Sequence, residues 1–353
     1  MVLYISGGND ALSTLVPYTD PAYYTRRPSV AVESDTVLQI GSDAAGRPQG
    51  LHPNLGGLQS IFNSGRLAVL QRTGYADASR SHFKGTDIWA TANPEAVQGP
   101  GWLGRYLGTL AAPVDPLTGW NTAGLLPHAL QATQVGVPSI PSPSDYAFSS
   151  PNAGAEATYS VAAASAISSH VPVGQPQLNF VNSTAQAALA TLDRVAAVAA
   201  YAPTVTYPTS GLGQALQAVA GAMATEVGTK VFWVQTGGYD TYASQGTVDG
   251  TYGGLLSTLA AAMSSFYTDL ANQGLLSDTL VLLFSEFGRR VSENGSAGTD
   301  HGVGGLMMAM GARSPGGSME RPRCSTTRRT IPTSRTAVAT SVTRSISARS
   351  MRM

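Results

Sequence analysis

Five short apolar runs stand at wide intervals along the chain: MVLYIS at 1–6, RLAVLQR at 66–72, KVFWVQT at 230–236, LVLLF at 280–284 and GLMMAMG at 305–311. Continuous rather than alternating apolar character, cut off by Gly, Ser or Thr, is the form of a strand buried on both faces. Between the runs, apolar residues recur at helical spacing. Residues 54–65 place Leu55, Leu58, Ile61 and Phe62 on one face, with Gly65 as the stop. Residues 183–200 open on a Ser N-cap, 211–227 form another helix, and 101–110 (GWLGRYLGTL) reads as helical. Over 252–273, Leu255, Leu259, Met263, Phe266 and Leu270 make a core stripe.

Strands alternating with helices predict an α/β fold, a doubly wound and mostly parallel sheet. The run at 1–6, the helix at 54–65 and the run at 66–72 read as a βαβ unit with parallel pairing and a right-handed crossover. Residues 17–30 read as a Tyr- and Pro-rich loop. Residues 111–182, rich in Ala, Pro, Ser and Gly with a strand-like piece at 133–140, read as an insertion or peripheral subdomain, and His128 and His170 within it as structural.

Composition narrows the function classes. The chain has 353 residues, 43% hydrophobic and 12% charged, with zero formal net charge, which gives no reason to expect nucleic acid. No uninterrupted apolar run is long enough for a transmembrane helix. The neutral total hides an asymmetry: residues 313–353 hold nine Arg and one acidic residue, Glu320, so an acidic body precedes a basic tail. The tail has no Leu, no aromatic residue and no period. It reads as a disordered segment or, preferably, as a shifted reading frame, leaving 1–312 as one α/β domain. The only cysteine, Cys324, lies in the tail, so the body can hold neither a disulfide nor a thiolate metal site. The first apolar run begins at residue 1 without a basic leader, so no signal peptide is expected here and the true start is expected upstream.

The chemistry gathers after the strands. In an open α/β sheet, ligands sit beyond the carboxyl ends of the strands. The first run leads to Gly7-Gly8-Asn9-Asp10. The second leads to Ser79-Arg80-Ser81-His82, the third to Gly237-Gly238-Tyr239-Asp240-Thr241-Tyr242. The fourth leads to Ser285-Glu286-Phe287-Gly288-Arg289-Arg290, a Gly- and Ser-rich loop and Asp300-His301. Asp10, Asp240, Glu286, Asp300 and His301 are candidate ligands for a divalent metal. Ser79, Ser81 and His82 are candidate catalytic groups, and Arg80, Arg289 and Arg290 are candidates to grip an oxyanion. Asp10 could instead cap a following helix, and either serine could be an N-cap and nothing more.

The segments GGNDALSTLVPY, LHPNLGGLQSIFNSGRLAVLQRTGY, SRSHFKGTDIW, VFWVQTGGYDTYASQ and LVLLFSEFGRRVSENGSAGTDHGVGG resemble, in order, those of the bacterial domain-of-unknown-function family 1501. That family is similar to the alkaline phosphatase and sulfatase superfamily. The resemblance implies an alkaline phosphatase/sulfatase-like fold and a metal at the strand ends: zinc, calcium, magnesium or manganese. It also implies a small anionic ester or surface glycan as substrate, and twin-arginine export to the periplasm or cell exterior. Carried over by position, Asp10 matches a first-strand metal ligand, Ser79 or Ser81 the nucleophile region, Asp240 an Asp-x-His element, Glu286 the Asp of an Asp-His pair and His301 the late metal His. Two imidazoles of that pattern are absent here, replaced by Tyr242 and Phe287, which favours an oxygen-coordinated metal or loss of activity. Two readings follow: a metal-dependent hydrolase of phosphate or sulfate esters, or a non-catalytic surface or binding protein on the same fold.

Overall fold

The computed structural model describes residues 1–110, 114–133 and 135–311; the basic tail at 313–353 lies outside them. In chain order come β1 (Val2–Ile5), α1 (Ala11–Thr14), β2 (Leu15–Val16), α2 (Pro21–Arg26), β3 (Leu38–Ser42), β4 (Pro48–Leu51), α3 (Gly56–Asn63) and β5 (Leu67–Thr73). Then follow α4 (His82–Thr91), α5 (Trp102–Leu107), β6 (Gly119–Asn121), α6 (Ala155–Ser168), α7 (Pro176–Ala199) and α8 (Gly211–Ala224). The last elements are β7 (Val231–Thr236), α9 (Thr251–Asn272), β8 (Val281–Phe284) and β9 (Gly305–Met310).

The main sheet has the order β5-β9-β8-β1-β7-β6. β6, β7, β1 and β8 pair in parallel, and β9 pairs antiparallel to both β8 and β5. β1 is central and every residue in it is buried. Because side chains alternate across a strand, Leu3 and Ile5 enter one apolar cluster with residues of α3, α8 and α9. Val2 and Tyr4 enter a second with Trp233, Phe284, Ala90 of α4 and Leu103 and Leu107 of α5. Helices therefore cover both faces, which is why these strands carry no polar side. A separate small sheet, β2-β4-β3, is antiparallel.

Several expectations change. β5 runs in the same direction as β1 but lies at the sheet edge with β8 and β9 between them, so 1–6 and 66–72 are not paired neighbours. Residues 17–30 are not all loop: Asp20 accepts the Ala22 amide at 2.9 Å and Pro21 starts α2, a side-chain cap with proline in the first turn. Part of 111–182 belongs to the main sheet, since Gly119–Asn121 pairs with β7 and Trp120 is buried. The strand-like 133–140 contributes one bridge among the described residues, Ser139 to Asn121, beside Pro138, which has no amide to donate. α7 starts at Pro176, ahead of the expected Ser183, and its first turns leave Phe180 and Val181 exposed. No helix among the described residues is long and apolar enough to cross a membrane.

His52, fully buried, follows β4 and accepts the Asn54 amide on Nδ1 at 3.1 Å. Burial pushes its pKa down to about 4 from 6.5, although the Asp10 charge favours the cation. Between those two values the unfolded chain binds a proton that the folded chain refuses, so stability rises with pH across the window and is lost on acidification. The loss from this group is expected to reach about 3 kcal/mol. Urea melts of the wild type and His52→Asn, which keeps a capping oxygen, should show a shallower acid dependence in the variant between neutral pH and about 4; equal slopes would refute the assignment.

Candidate metal centre

β1 lies between β7 and β8, so the three carboxyl ends open into one crevice. Gly7, two residues past β1, has φ +119, and a Cβ there would lie 2.5 Å from the Asp240 amide nitrogen. Only glycine lets the turn after β1 pack against the segment that carries Asp240. The Gly7 amide donates to Glu286 Oε1 at 2.9 Å, tying the end of β1 to the end of β8. Ser285 Oγ donates to Glu286 Oε2 at 2.8 Å, and Trp89 Nε1 donates to the Glu286 carbonyl at 2.8 Å.

Two histidines come to this crevice from different directions. His82 is the first residue of α4, and its Nδ1 lies 2.6 Å from Glu286 Oε1. His301 is held by a bridge to Arg289, and its Nδ1 lies 2.7 Å from the Arg80 carbonyl oxygen. A carboxylate and a carbonyl can only accept, so both Nδ1 atoms carry a proton and turn Nε2 toward the crevice. His82 Nε2 faces Asp240 Oδ2 at 3.2 Å, and His301 Nε2 faces Asp240 Oδ1 at 3.2 Å. The two rings meet edge to face with centroids 4.4 Å apart. Ligand atoms of His82, Asp240 and His301 all lie within 4.8 Å of one another.

Both carboxylates are held ionised. Burial raises the pKa of Glu286, but hydrogen bonds from His82, its own amide, Gly7 and Ser285 outweigh it, and the net shift is downward. Desolvation raises that of Asp240, and hydrogen bonds from Arg289 and His301 with the charges of Arg289 and His82 bring it below the ordinary value.

Other expected site residues are divided by the structure. Asp10 is fully buried, and Arg27 grips it through Nη1 to Oδ2 at 2.6 Å and Nη2 to Oδ1 at 2.9 Å. Ser13 and Gln245 also donate to it, so it stands outside the His82–Asp240–His301 group. It occupies the N-cap position of α1 but its side chain caps no amide. Arg289 is buried and donates to the carbonyls of Gly7, Gly8, Tyr239 and Thr299 and to Asp240 Oδ1, which leaves none of its nitrogens for a substrate oxyanion. Asp300 pairs with Arg290 at 3.4 Å and accepts from Asn294. Arg80, Arg290, Asp300, His301 and Tyr242 line a cleft of about 350 Å³ over the centre. Ser81 is exposed and N-caps α4 by position, yet its hydroxyl makes no cap bond, whereas Ser79 Oγ accepts the Ser81 amide at 3.2 Å.

The two positions that lack the resemblance's imidazoles still touch the centre. Phe287 packs on His82 and His301 at 4.9 and 4.6 Å between centroids. Tyr242 Oη lies 2.5 Å from His301 Nε2. The second imidazole of the cluster is His82, a local sequence neighbour of the serines rather than of either lost position.

A family model for proteins of unknown function, DUF1501, matches residues 1–320. The chain belongs to this family. The residues of the crevice from Gly7 to His301 fall inside the matched DUF1501 span. No curated protein matches the chain. Among solved structures, the alkaline phosphatase of the Antarctic bacterium TAB5 aligns over 88% of this DUF1501 chain and 90% of its own, at 10% identity and a TM-score of 0.31. A likeness that loose carries no argument about chemistry here.

Proposed function

We propose that this protein is a metal-dependent hydrolase of small phosphate or sulfate esters, with His82, Asp240 and His301 holding the ion. One observation carries the reading: two imidazole Nε2 atoms converge on opposite oxygens of one carboxylate while both Nδ1 atoms are held from behind by acceptors. Between an Nε2 and a carboxylate oxygen lies either a proton or a metal cation, and one cation serves both imidazoles at once. Nδ1–H bound to a carboxylate or carbonyl is the arrangement that orients ligating histidines, so the donor set fits a metal ion. When bound, the ion supplies Lewis acidity, polarising the ester and lowering the pKa of an attacking hydroxyl.

The chain's own groups do the rest. Glu286 and the Arg80 carbonyl fix the tautomers. The Arg80 and Arg290 guanidiniums, at the cleft, are placed to bind the non-bridging oxygens of an anionic ester. Ser81 lies between Arg80, whose carbonyl holds His301, and His82 itself, and its free hydroxyl stands at the positive end of α4. It is the better nucleophile of the two serines: its Oγ bonds to phosphorus or sulfur as the ester's bridging bond breaks, the hydroxyl proton leaving with the departing alcohol, and water then releases the acid and restores the serine. By its family resemblance the protein acts outside the cytoplasm, where a surface glycan or small ester is the substrate.

Elemental analysis of the purified protein, with turnover of aryl phosphate and aryl sulfate, tests the proposal. About one tightly held ion per chain and ester hydrolysis that a chelator abolishes are expected; a metal-free, folded and inactive protein would reject it. Ser81→Ala is expected to cut turnover at least about 100-fold, and Ser79→Ala to leave it within about threefold. The reverse order would move the nucleophile to Ser79. A binding protein without catalysis is the second reading, favoured by Arg289 on Asp240 Oδ1, where a cation already meets the carboxylate.

A further inference from the structure

We propose that the Tyr242 phenolic oxygen is a fourth protein donor to the ion held by His82, Asp240 and His301, and that the resulting donor set selects ferric iron over zinc. The inference rests on the metal reading above and goes beyond it to the ion's identity.

Tyr242 Oη is 2.5 Å from His301 Nε2, the atom that also faces Asp240 Oδ1. The phenol thus lies against the nitrogen that a metal would take, and an ion bound by Nε2 arrives beside the phenol oxygen. The ring is held for this role on several sides. It is tilted on His301 with centroids 4.9 Å apart, and the Arg289 guanidinium carbon lies 5.2 Å from its centroid. The Tyr242 carbonyl accepts from Asn294 Nδ2 at 2.9 Å, and Gly298 packs directly against its backbone. Two donors on one ion with bonds near 2 Å need roughly 3 Å between them. The phenol would move by about half an ångström, and at 44% exposure it has room.

The chemistry of the set then differs from that of an ordinary zinc site. Two neutral imidazole nitrogens are joined by two oxygen donors, the Asp240 carboxylate and a phenolate whose proton leaves to solvent on binding. Two anionic oxygens match a hard, highly charged cation, while zinc sites are built from imidazole and thiolate first. Replacing an imidazole by Tyr242 therefore changes which ion the site takes, rather than removing a ligand.

The full chain, stripped with a chelator, would be titrated separately with ferric citrate and with zinc chloride. A ferric complex with a visible phenolate-to-iron charge-transfer band is expected. Tyr242→Phe should abolish the band and lower the ferric-to-zinc affinity ratio at least about tenfold, iron binding losing more than zinc binding. Tyr242→His should shift the ratio further toward zinc, and it reports independently should the phenylalanine variant fail to fold. A colourless ferric complex, a band that persists in Tyr242→Phe, or equal losses of iron and zinc would overturn the role of Tyr242 while leaving the metal centre standing. A folded wild type that takes neither metal would overturn both.

Discussion

Asp240→Asn is expected to strip the bound metal and to lower ester hydrolysis at least about 1000-fold. Asp240 is the carboxylate that both imidazoles face, and the amide replaces an anion with a neutral group whose NH2 end would point at one of the two Nε2 atoms. The fold should survive, because the side chain is 36% exposed and Arg289 keeps its bonds to the carbonyls of Gly7, Gly8, Tyr239 and Thr299. Glu286→Gln should act more mildly: it still accepts from His82 but no longer as an anion, and a loss of roughly 10–100-fold in metal affinity is expected. Elemental analysis and steady-state rates on the variants give the reading. Wild-type metal content in Asp240→Asn would end the case for this centre.

Arg27→Met is expected to destabilise the protein by about 3–5 kcal/mol. Both side chains of the Asp10–Arg27 pair are fully buried. Burial raises the pKa of Asp10, and Arg27, Ser13 and Gln245 bring it back below the ordinary value, so its charge persists in the core. Without the guanidinium that charge is left with two neutral donors, Ser13 and Gln245. Arg27 also holds the carbonyls of Arg290 and Val291, at 2.9 and 2.8 Å, and so ties α2 to the loop after β8. The double variant Arg27→Met with Asp10→Asn should recover part of the loss. Denaturant melts decide it; a change below about 1 kcal/mol would show that the pair is not what holds this corner.

Much of the fold was legible because buried strands announce themselves. The continuous apolar runs at 230–236 and 280–284 became β7 and β8, and a carboxylate after each strand was enough to place Asp240 and Glu286 in the crevice. Strand neighbours were not legible: nothing local in RLAVLQR says that β9 will come between it and β8. Asp10 illustrates the limit at the site. A carboxylate after the first strand looks like a ligand until Arg27 is seen to reach it from α2, a contact set by packing rather than by spacing. His82 was visible as a catalytic candidate, but its partnership with Glu286, far along the chain, needed the sheet to close. Tyr242 stands where the resemblance has an imidazole; that its oxygen lies against His301 Nε2 could not be read from the sequence.

The central place of β1 has a consequence for how the molecule is made. Its hydrogen-bond partners β7 and β8 are synthesised more than 200 residues after it, and the Gly7–Glu286 bond at the crevice spans 279 positions. At typical elongation rates the nascent first strand waits roughly 15–60 s for them. Throughout that interval a fully apolar strand has no sheet to join, and native contacts this distant in sequence make closure slow. The growing chain is therefore most exposed to aggregation before β8 emerges, and chaperone dependence should map to β1 more than to any later strand.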